Sequence, residues 1–113
     1  MADILIPEGS KFKGTIQMGK ANLDYNITLF DISLSNFSFE HTVSYGGNAI
    51  DTKSGAGSLN IVDSNLAILN YSDPETAFNG EINLASTDMD IKGLWNQLNG
   101  SALKGDFMLK KIA

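Results

Sequence analysis

The 113-residue chain has eight lysines, no arginine and no cysteine, against thirteen carboxylates, and its formal net charge is −5. A chain of this length forms one domain that buries enough surface to fold without disulfides. The lack of cysteine excludes disulfides, zinc–thiolate sites and cysteine nucleophiles. The lack of arginine and the negative charge disfavour nucleic-acid binding, which needs a basic face.

The N-terminal stretch from Met1 to Pro7 holds an apolar run of only three residues, with no cation before it. This pattern is neither a signal peptide nor a membrane span. We therefore expect a soluble protein, and its compartment stays open. Residues 1–10 are expected to form an irregular lead-in to a single all-β domain over 1–113, because Pro7 and Gly9 interrupt the apolar run.

One seven-residue phrase recurs along the chain, with the pattern apolar-x-Gly-x-apolar-x-apolar. It begins at Phe12, Phe78 and Leu103, and a looser copy begins at Gly55. Period-two alternation is typical of a strand with one face on a core, and a glycine on that face marks a bend or a close approach of backbone. The phrase therefore predicts a β protein.

The first half of the chain predicts three strands. The first covers 11–18 and is joined through a two-residue type II′ turn at Gly19-Lys20 to a second strand that begins near Ala21. The apolar residues then shift from odd-numbered to even-numbered positions, which requires a bulge or corner near Phe30-Asp31. After a turn at Ser35-Asn36, a third strand covers 37–45, and a long polar connection is expected over 46–55.

The second half predicts five further strands separated by short turns. They cover 56–62, 66–71, 76–85, a stretch from Asp88, and 102–111. The sequence does not decide which face of the strand 66–71 points inward, because apolar residues occupy both faces. The segment Leu94–Leu98 has a second interpretation as a single helical turn.

Eight antiparallel strands joined by short connections form an up-and-down meander, which closes into a barrel or folds into two packed sheets. Glycines on the apolar face favour closure, because small coiled barrels need room there. These are Gly14, Gly57, Gly80, Gly93 and Gly105. We therefore predict a small closed barrel, with a β-sandwich as the alternative.

The longer loops gather at one end of this meander, which is the expected mouth, since binding residues tend to lie on loops over a rigid scaffold. Four residues at the strand ends that meet the mouth are expected at its half-wet rim, where amphipathic rings can bind a ligand: Met18, Tyr45, Tyr71 and Trp95. His41 lies about 13 Å deeper than Tyr45 on the same face. The ligand-binding candidates are Tyr45, Trp95, Tyr71, His41, Tyr25 and Met18. The structural alternative is that the aromatic residues only cover the core and that His41 is a hydrogen-bonded core residue.

The opening Phe12-Lys13-Gly14-Thr15 and the closing segment from Gly105 to Lys111 resemble the first and last strands of calycin-type barrels, which include lipocalins, fatty-acid-binding proteins and avidins. The resemblance covers the strand count and the two chain ends. Ile16 stands where the lipocalin Gly-x-Trp motif has tryptophan, and the biotin-contacting tryptophans of avidins are missing. The resemblance implies a fold and the holding of small apolar ligands, and it transfers no residue role.

Catalytic motifs are nearly absent from the chain. A Ser-His-Asp arrangement would have to use His41, and no Gly-x-Ser-x-Gly elbow presents a serine. There is no phosphate-binding loop, no His-x-x-x-His pair and no twelve-residue calcium loop. Asp88 and Asp90 alternate on one strand face, as do Glu81 and Asn83 on another, and outward carboxylates of this kind are typical of a solvated sheet face. We expect no cofactor and no metal.

Three hypotheses about function remain. The first is a carrier that holds a small apolar or aromatic ligand at the open end. The second is a protein- or glycan-interaction module, such as an inhibitor, lectin or assembly subunit, acting through loops or a sheet face. An apolar stripe of Phe30, Ile32 and Leu34 would support it, and a second copy of the chain is a candidate partner. The third is an isomerase or lyase that uses His41 or a tyrosine.

Overall fold

The computed structural model describes residues 6–33, 35–45, 48–85, 89–98 and 104–112, without the side chains of 49–51. It has eight antiparallel strands, and each pairs with the next in the chain while β8 pairs with β1, so the sheet is a closed barrel. This confirms the predicted meander and excludes the sandwich. The strands are β1 Lys11–Met18, β2 Ala21–Phe30, β3 Asn36–Tyr45, β4 Asn48–Ile61, β5 Leu66–Ser72, β6 Thr76–Asn83, β7 Ile91–Gln97 and β8 Lys104–Lys111.

The first hairpin and the corner after it follow the sequence prediction. Met18 lies opposite Ala21, which leaves a two-residue loop, and Gly19 has the positive φ of 64° that a type II′ turn requires at its first central position. Asp31 has a φ of 50° and turns the chain at the predicted corner. Two backbone N–H groups at this corner, those of Asp31 and Ile32, donate to the Glu8 carboxylate.

The long polar connection predicted over 46–55 is wrong for residues 48–55, which belong to β4. Strand β4 pairs with β3 from Asn48 to Ser58, with a register shift between Val43 and Ser44. A Cβ at Gly55 would lie 3.2 Å from the Phe39 ring, so a glycine there lets the ring lie against the strand. Tertiary packing therefore overrides the weak β-propensity of this segment. Residues 46 and 47 lie outside the described residues.

The remaining boundaries move by a few residues. Strand β6 ends at Asn83, and the helical-turn interpretation of Leu94–Leu98 is wrong, because β7 continues as a strand to Gln97. The inward face of β5, left open by the sequence, is the one that carries Ala67, Leu69 and Tyr71, all buried. The predicted strand starts at 88 and 102 lie outside the described residues.

The exposed apolar stripe predicted at Phe30, Ile32 and Leu34 is not present as a stripe. Ile32 is buried and belongs to the core, Phe30 is half-buried, and Leu34 lies outside the described residues. The lead-in packs beneath this end, where Ile6 is 2% exposed and the Ser10 carbonyl accepts from the Leu29 N–H. The end opposite the expected mouth is therefore closed by the lead-in and the corner.

The inward glycines make room for close packing. A Cβ at Gly14 would lie 1.8 Å from the Met108 carbonyl oxygen, and one at Gly93 would lie 2.3 Å from the Asn79 carbonyl oxygen. Real Cβ atoms do not come that close to backbone, so these positions require glycine as the sheet stands. The recurring phrase marks the places where the coiled sheet closes on itself. Within the described residues, no helix is long and apolar enough to cross a membrane.

Candidate functional site

A chain of hydrogen bonds joins three of the predicted ligand-binding residues inside the barrel. The Tyr25 hydroxyl lies 2.8 Å from the Tyr71 hydroxyl and 2.7 Å from His41 Nδ1. His41 Nε2 lies 3.0 Å from Asp73 Oδ2. All four side chains are buried, so this polar chain crosses an apolar interior. We call Tyr71, Tyr25, His41 and Asp73 the interior relay.

Every donor of the interior relay has an acceptor when the hydrogen bonds run from Tyr71 toward Asp73. An ionised carboxylate only accepts, so the His41 Nε2–H donates to Asp73. His41 Nδ1 then accepts from the Tyr25 hydroxyl, and the Tyr25 oxygen accepts from the Tyr71 hydroxyl. In the opposite direction the Tyr71 hydroxyl would have no acceptor within the relay, which is costly for a buried donor.

Burial keeps both phenols of the relay protonated. Loss of contact with water raises the pKa of Tyr25 well above the ordinary value of 10.0, and the neighbouring Tyr71 and Asp73 raise it further. Burial also raises the pKa of Tyr71; the hydrogen bond with Tyr25 lowers that pKa in part, and the charge of Asp73 raises it. The two hydroxyls are therefore hydrogen-bond donors at neutral pH, not bases.

Aromatic rings fill the space around the relay. Tyr71 stacks on Phe78 with ring centroids 4.7 Å apart, and Tyr25 also stacks on Phe78, at 5.7 Å. The rings of Phe39 and Phe107 meet this group edge-on or tilted. The centroid spacing is typical of direct ring packing. This part of the interior is a packed aromatic core.

The other predicted site residues lie apart from the relay. Trp95, expected at the rim, is 2% exposed, and its Nε1–H donates to the Gln17 carbonyl oxygen at 2.8 Å. Tyr45 is 64% exposed at the end of β3, and Met18 is half-buried against the core. Tyr71 was also expected at the rim, but it pairs with Gly57 well inside the long β4 and is 4% exposed.

Asp73 is the member of the relay that sequence reasoning missed. Its Oδ1 accepts from the backbone N–H groups of Glu75 and Thr76, so it shapes the turn between β5 and β6 while its Oδ2 holds His41. An aspartate before Pro74 is a turn signal that the sequence does show. Its contact with a histidine 32 residues earlier is set by strand pairing, which local sequence does not reveal.

A groove on the outside of the barrel forms a second candidate site. Directly opposed residues of β3, β4, β5 and β6 place polar side chains in one row across the sheet. Neighbouring strands are about 4.8 Å apart, so the row has a regular spacing. Small side chains and Asn96 line the neighbouring row, and the groove encloses about 600 Å³. We call it the amide groove, with Asn36, Ser58, Asn70, Asn79 and Asn96 as its polar residues and Ala56, Ser72 and Ala77 as its small ones.

The amide groove has no charged side chain in its lining and is partly preorganised. The Asn79 side-chain N–H donates to the Asn70 side-chain oxygen. This bond fixes both amides and leaves the Asn70 N–H₂ as a donor and the Asn79 oxygen as an acceptor. The groove can therefore offer paired donors and acceptors to an uncharged polar ligand.

Elsewhere the described residues hold no group of three or more histidine, aspartate or glutamate side chains placed to bind a metal ion. In comparisons with known proteins, no family model, no curated protein and no solved structure matches this chain. The eight-stranded antiparallel barrel is compatible with a calycin-like fold at the level of architecture. Function therefore has to be argued from the two sites themselves.

Proposed function

We propose that this protein is an interaction module that recognises a neutral glycan through the amide groove on the outside of the barrel. The observation that carries the proposal is the row of opposed polar side chains with no charged residue among them. A sugar presents hydroxyl groups that both donate and accept. Side-chain amides match them, whereas carboxylates only accept and lysines only donate.

The size and polarity of the groove support the same ligand class. Its volume of about 600 Å³ lies within the range of small-ligand sites. Such sites are mostly apolar when they hold apolar ligands. Here Asn70 and Asn79 are exposed and hydrogen-bonded to each other, so an apolar ligand would cover amides without replacing their water contacts. A polyhydroxylated ligand avoids that cost.

A screen against an array of neutral and charged glycans, followed by calorimetric titration of the best neutral one, tests the proposal. Replacing Asn70 and Asn79 together by alanine removes two net hydrogen bonds of about 1 kcal/mol each, so affinity is expected to fall by roughly 30-fold. Asn22→Ala, at an exposed position on β2, is the matched control and is expected to bind normally. Absence of any neutral glycan ligand, or an equal loss in Asn22→Ala, would contradict the proposal.

A second candidate function is the carrier of a small apolar or aromatic ligand at the mouth end. It is supported by three half-buried apolar side chains near that end: Met18, Leu23 and Val43. They pack against the core and are partly exposed to solvent. The calycin-like resemblance points the same way. Native mass spectrometry of the purified protein tests it: a co-purified apolar ligand that Val43→Asp abolishes supports the carrier, and a ligand-free mass at all times argues against it.

The isomerase or lyase hypothesis has the least support. Both ring nitrogens of His41 already form hydrogen bonds within the interior relay, and burial holds Tyr25 and Tyr71 in the protonated form. A general base needs a free lone pair within reach of its substrate.

A second copy of the chain stays a candidate partner.

A further inference from the structure

Charge is distributed unevenly around the barrel. Strands β1, β7 and β8 are neighbours in the closed sheet, and they carry six of the eight lysines but one of the thirteen carboxylates. The rest of the chain has two lysines and twelve carboxylates. One side of an acidic protein is therefore strongly basic.

Four lysines of this side lie on its outer surface, and none of them forms an ion pair with another described side chain. Lys13 lies directly opposite Lys110 in the pairing of β1 with β8, an arrangement that repels unless an anion is present. The ion pairs found among the described residues involve other side chains, so Lys11, Lys13, Lys92 and Lys110 are not neutralised there. Two carboxylates lie nearby: Glu81 on β6 is paired in register with Lys92, and Asp90 lines the same depression as Lys13 and Lys92.

Exposed apolar side chains lie among these lysines. Met108 is 53% exposed and directly opposite Lys92, and Ile112 is 61% exposed beside Lys11, whose carbonyl oxygen accepts from the Ile112 N–H. A depression of about 240 Å³ lies between Lys13, Lys92 and Met108. We call the set Lys11, Lys13, Lys92, Lys110, Met108 and Ile112 the lysine face.

We propose that the lysine face docks the protein on the surface of an anionic lipid bilayer. Lysines are attracted to anionic headgroups, and apolar side chains at the same level enter the boundary between headgroups and acyl chains. A soluble polyanion would use the lysines and leave Met108 and Ile112 in water. The carboxylates of a second copy of this chain are spread over several strands and connections, unlike the lysines of this face.

The overall negative charge does not prevent this docking. The shorter dimensions of the protein are 28 and 20 Å, whereas the screening length at physiological salt is about 8 Å. Carboxylates on the far side of the barrel are therefore largely screened from the membrane. The local charge of the lysine face sets the attraction and orients the protein.

Co-sedimentation with phosphatidylcholine vesicles, with and without phosphatidylserine, tests the proposal at low and high salt. We expect binding only to vesicles with phosphatidylserine, weakened by salt. The double variant Lys13→Gln/Lys110→Gln should lower partitioning roughly 30-fold, since each lysine contributes roughly fivefold. Met108→Gln should lower it separately, roughly fivefold, because a partly buried apolar side chain is lost.

The matched control is Lys20→Gln/Lys53→Gln, which makes the same change in net charge away from the lysine face and should bind as the parent does. Urea denaturation of each variant checks that it is folded. Equal binding to neutral vesicles, or an equal loss in the control, would overturn the proposal. Tight binding of soluble polyphosphate, with Met108→Gln affecting neither polyphosphate nor vesicle binding, would assign the face to a soluble polyanion and overturn it as well.

Discussion

His41 and Asp73 meet inside the barrel with Nε2 and Oδ2 3.0 Å apart, and both side chains are 5% exposed. The contact ties the middle of β3 to the turn between β5 and β6. An unpaired buried polar group costs more than a hydrogen bond contributes, so the loss of one partner is expected to destabilise the fold.

Asp73→Ala is expected to destabilise the fold by about 3 kcal/mol, because it strips His41 of its acceptor and removes the acceptor of two turn N–H groups. Urea denaturation measures the loss. Asp63→Ala is the control, since Asp63 accepts one backbone N–H in an exposed turn, from Asn65. That variant should lose about 1 kcal/mol or less. Equal losses in the two variants would mean that the His41 contact has no role in stability.

The direction of the relay predicts unequal effects of removing the two tyrosine hydroxyls. Tyr25→Phe removes the hydroxyl that bonds to both Tyr71 and His41 Nδ1, and is expected to cost about 3 kcal/mol. Tyr71→Phe removes one donor and leaves the Tyr25 bond to His41 intact, and should cost about 1 kcal/mol. The urea denaturation midpoints of the two variants measure this difference in stability. A larger loss for Tyr71→Phe would reverse the assigned direction.

The raised pKa values of Tyr25 and Tyr71 predict a loss of stability at alkaline pH. A phenol that is held protonated in the folded state contributes fully below its unfolded pKa of 10.0, and the contribution is lost as the pH rises from there toward the folded pKa. Two such groups give a fall of about 2.7 kcal/mol in unfolding free energy per pH unit above pH 10.

Urea denaturation at a series of alkaline pH values measures this slope. The Tyr71→Phe variant serves as its control, because one titrating group fewer should reduce the slope by about half. A slope that is the same in the parent and in Tyr71→Phe would show that alkaline unfolding has another origin.

Two inward glycines predict different tolerances to alanine. At Gly14 a Cβ would meet the Met108 carbonyl oxygen at 1.8 Å, so the backbone of two strands must move. At Gly80 the nearest atom is the end of the Phe107 ring at 3.1 Å, which can shift slightly. We expect Gly14→Ala to cost about 3 kcal/mol or more and Gly80→Ala about 1 kcal/mol. Thermal unfolding measures both, and a smaller loss for Gly14→Ala would contradict the close approach.

The fold was predictable because alternation and turn chemistry are local. The Gly19 turn, the corner at Asp31 and the inward glycines follow from side-chain parity and allowed φ values. The segment 48–55 was mistaken for a loop because its strand character depends on packing against β3, which residues such as Gly55 and Ser54 do not signal on their own.

The sites were predictable only in part, since they depend on which strands become neighbours. Sequence reasoning placed Tyr25 and His41 on inward faces and left the face of Tyr71 open, and it could not show that the three bond to one another and to Asp73. The amide groove was missed because outward asparagines look alike along the chain. Only the register places Asn70 opposite Asn79.

Recognition is proposed to take place on the outside of the barrel and not in its interior. The most direct test is an NMR titration with the best neutral glycan, following side-chain resonances on both surfaces of the sheet. We expect chemical-shift changes in the side-chain amide resonances of Asn70, Asn79 and Asn96, with the ring resonances of His41 and Tyr71 unchanged. Shifts confined to the interior rings, with the groove amides unaffected, would contradict it.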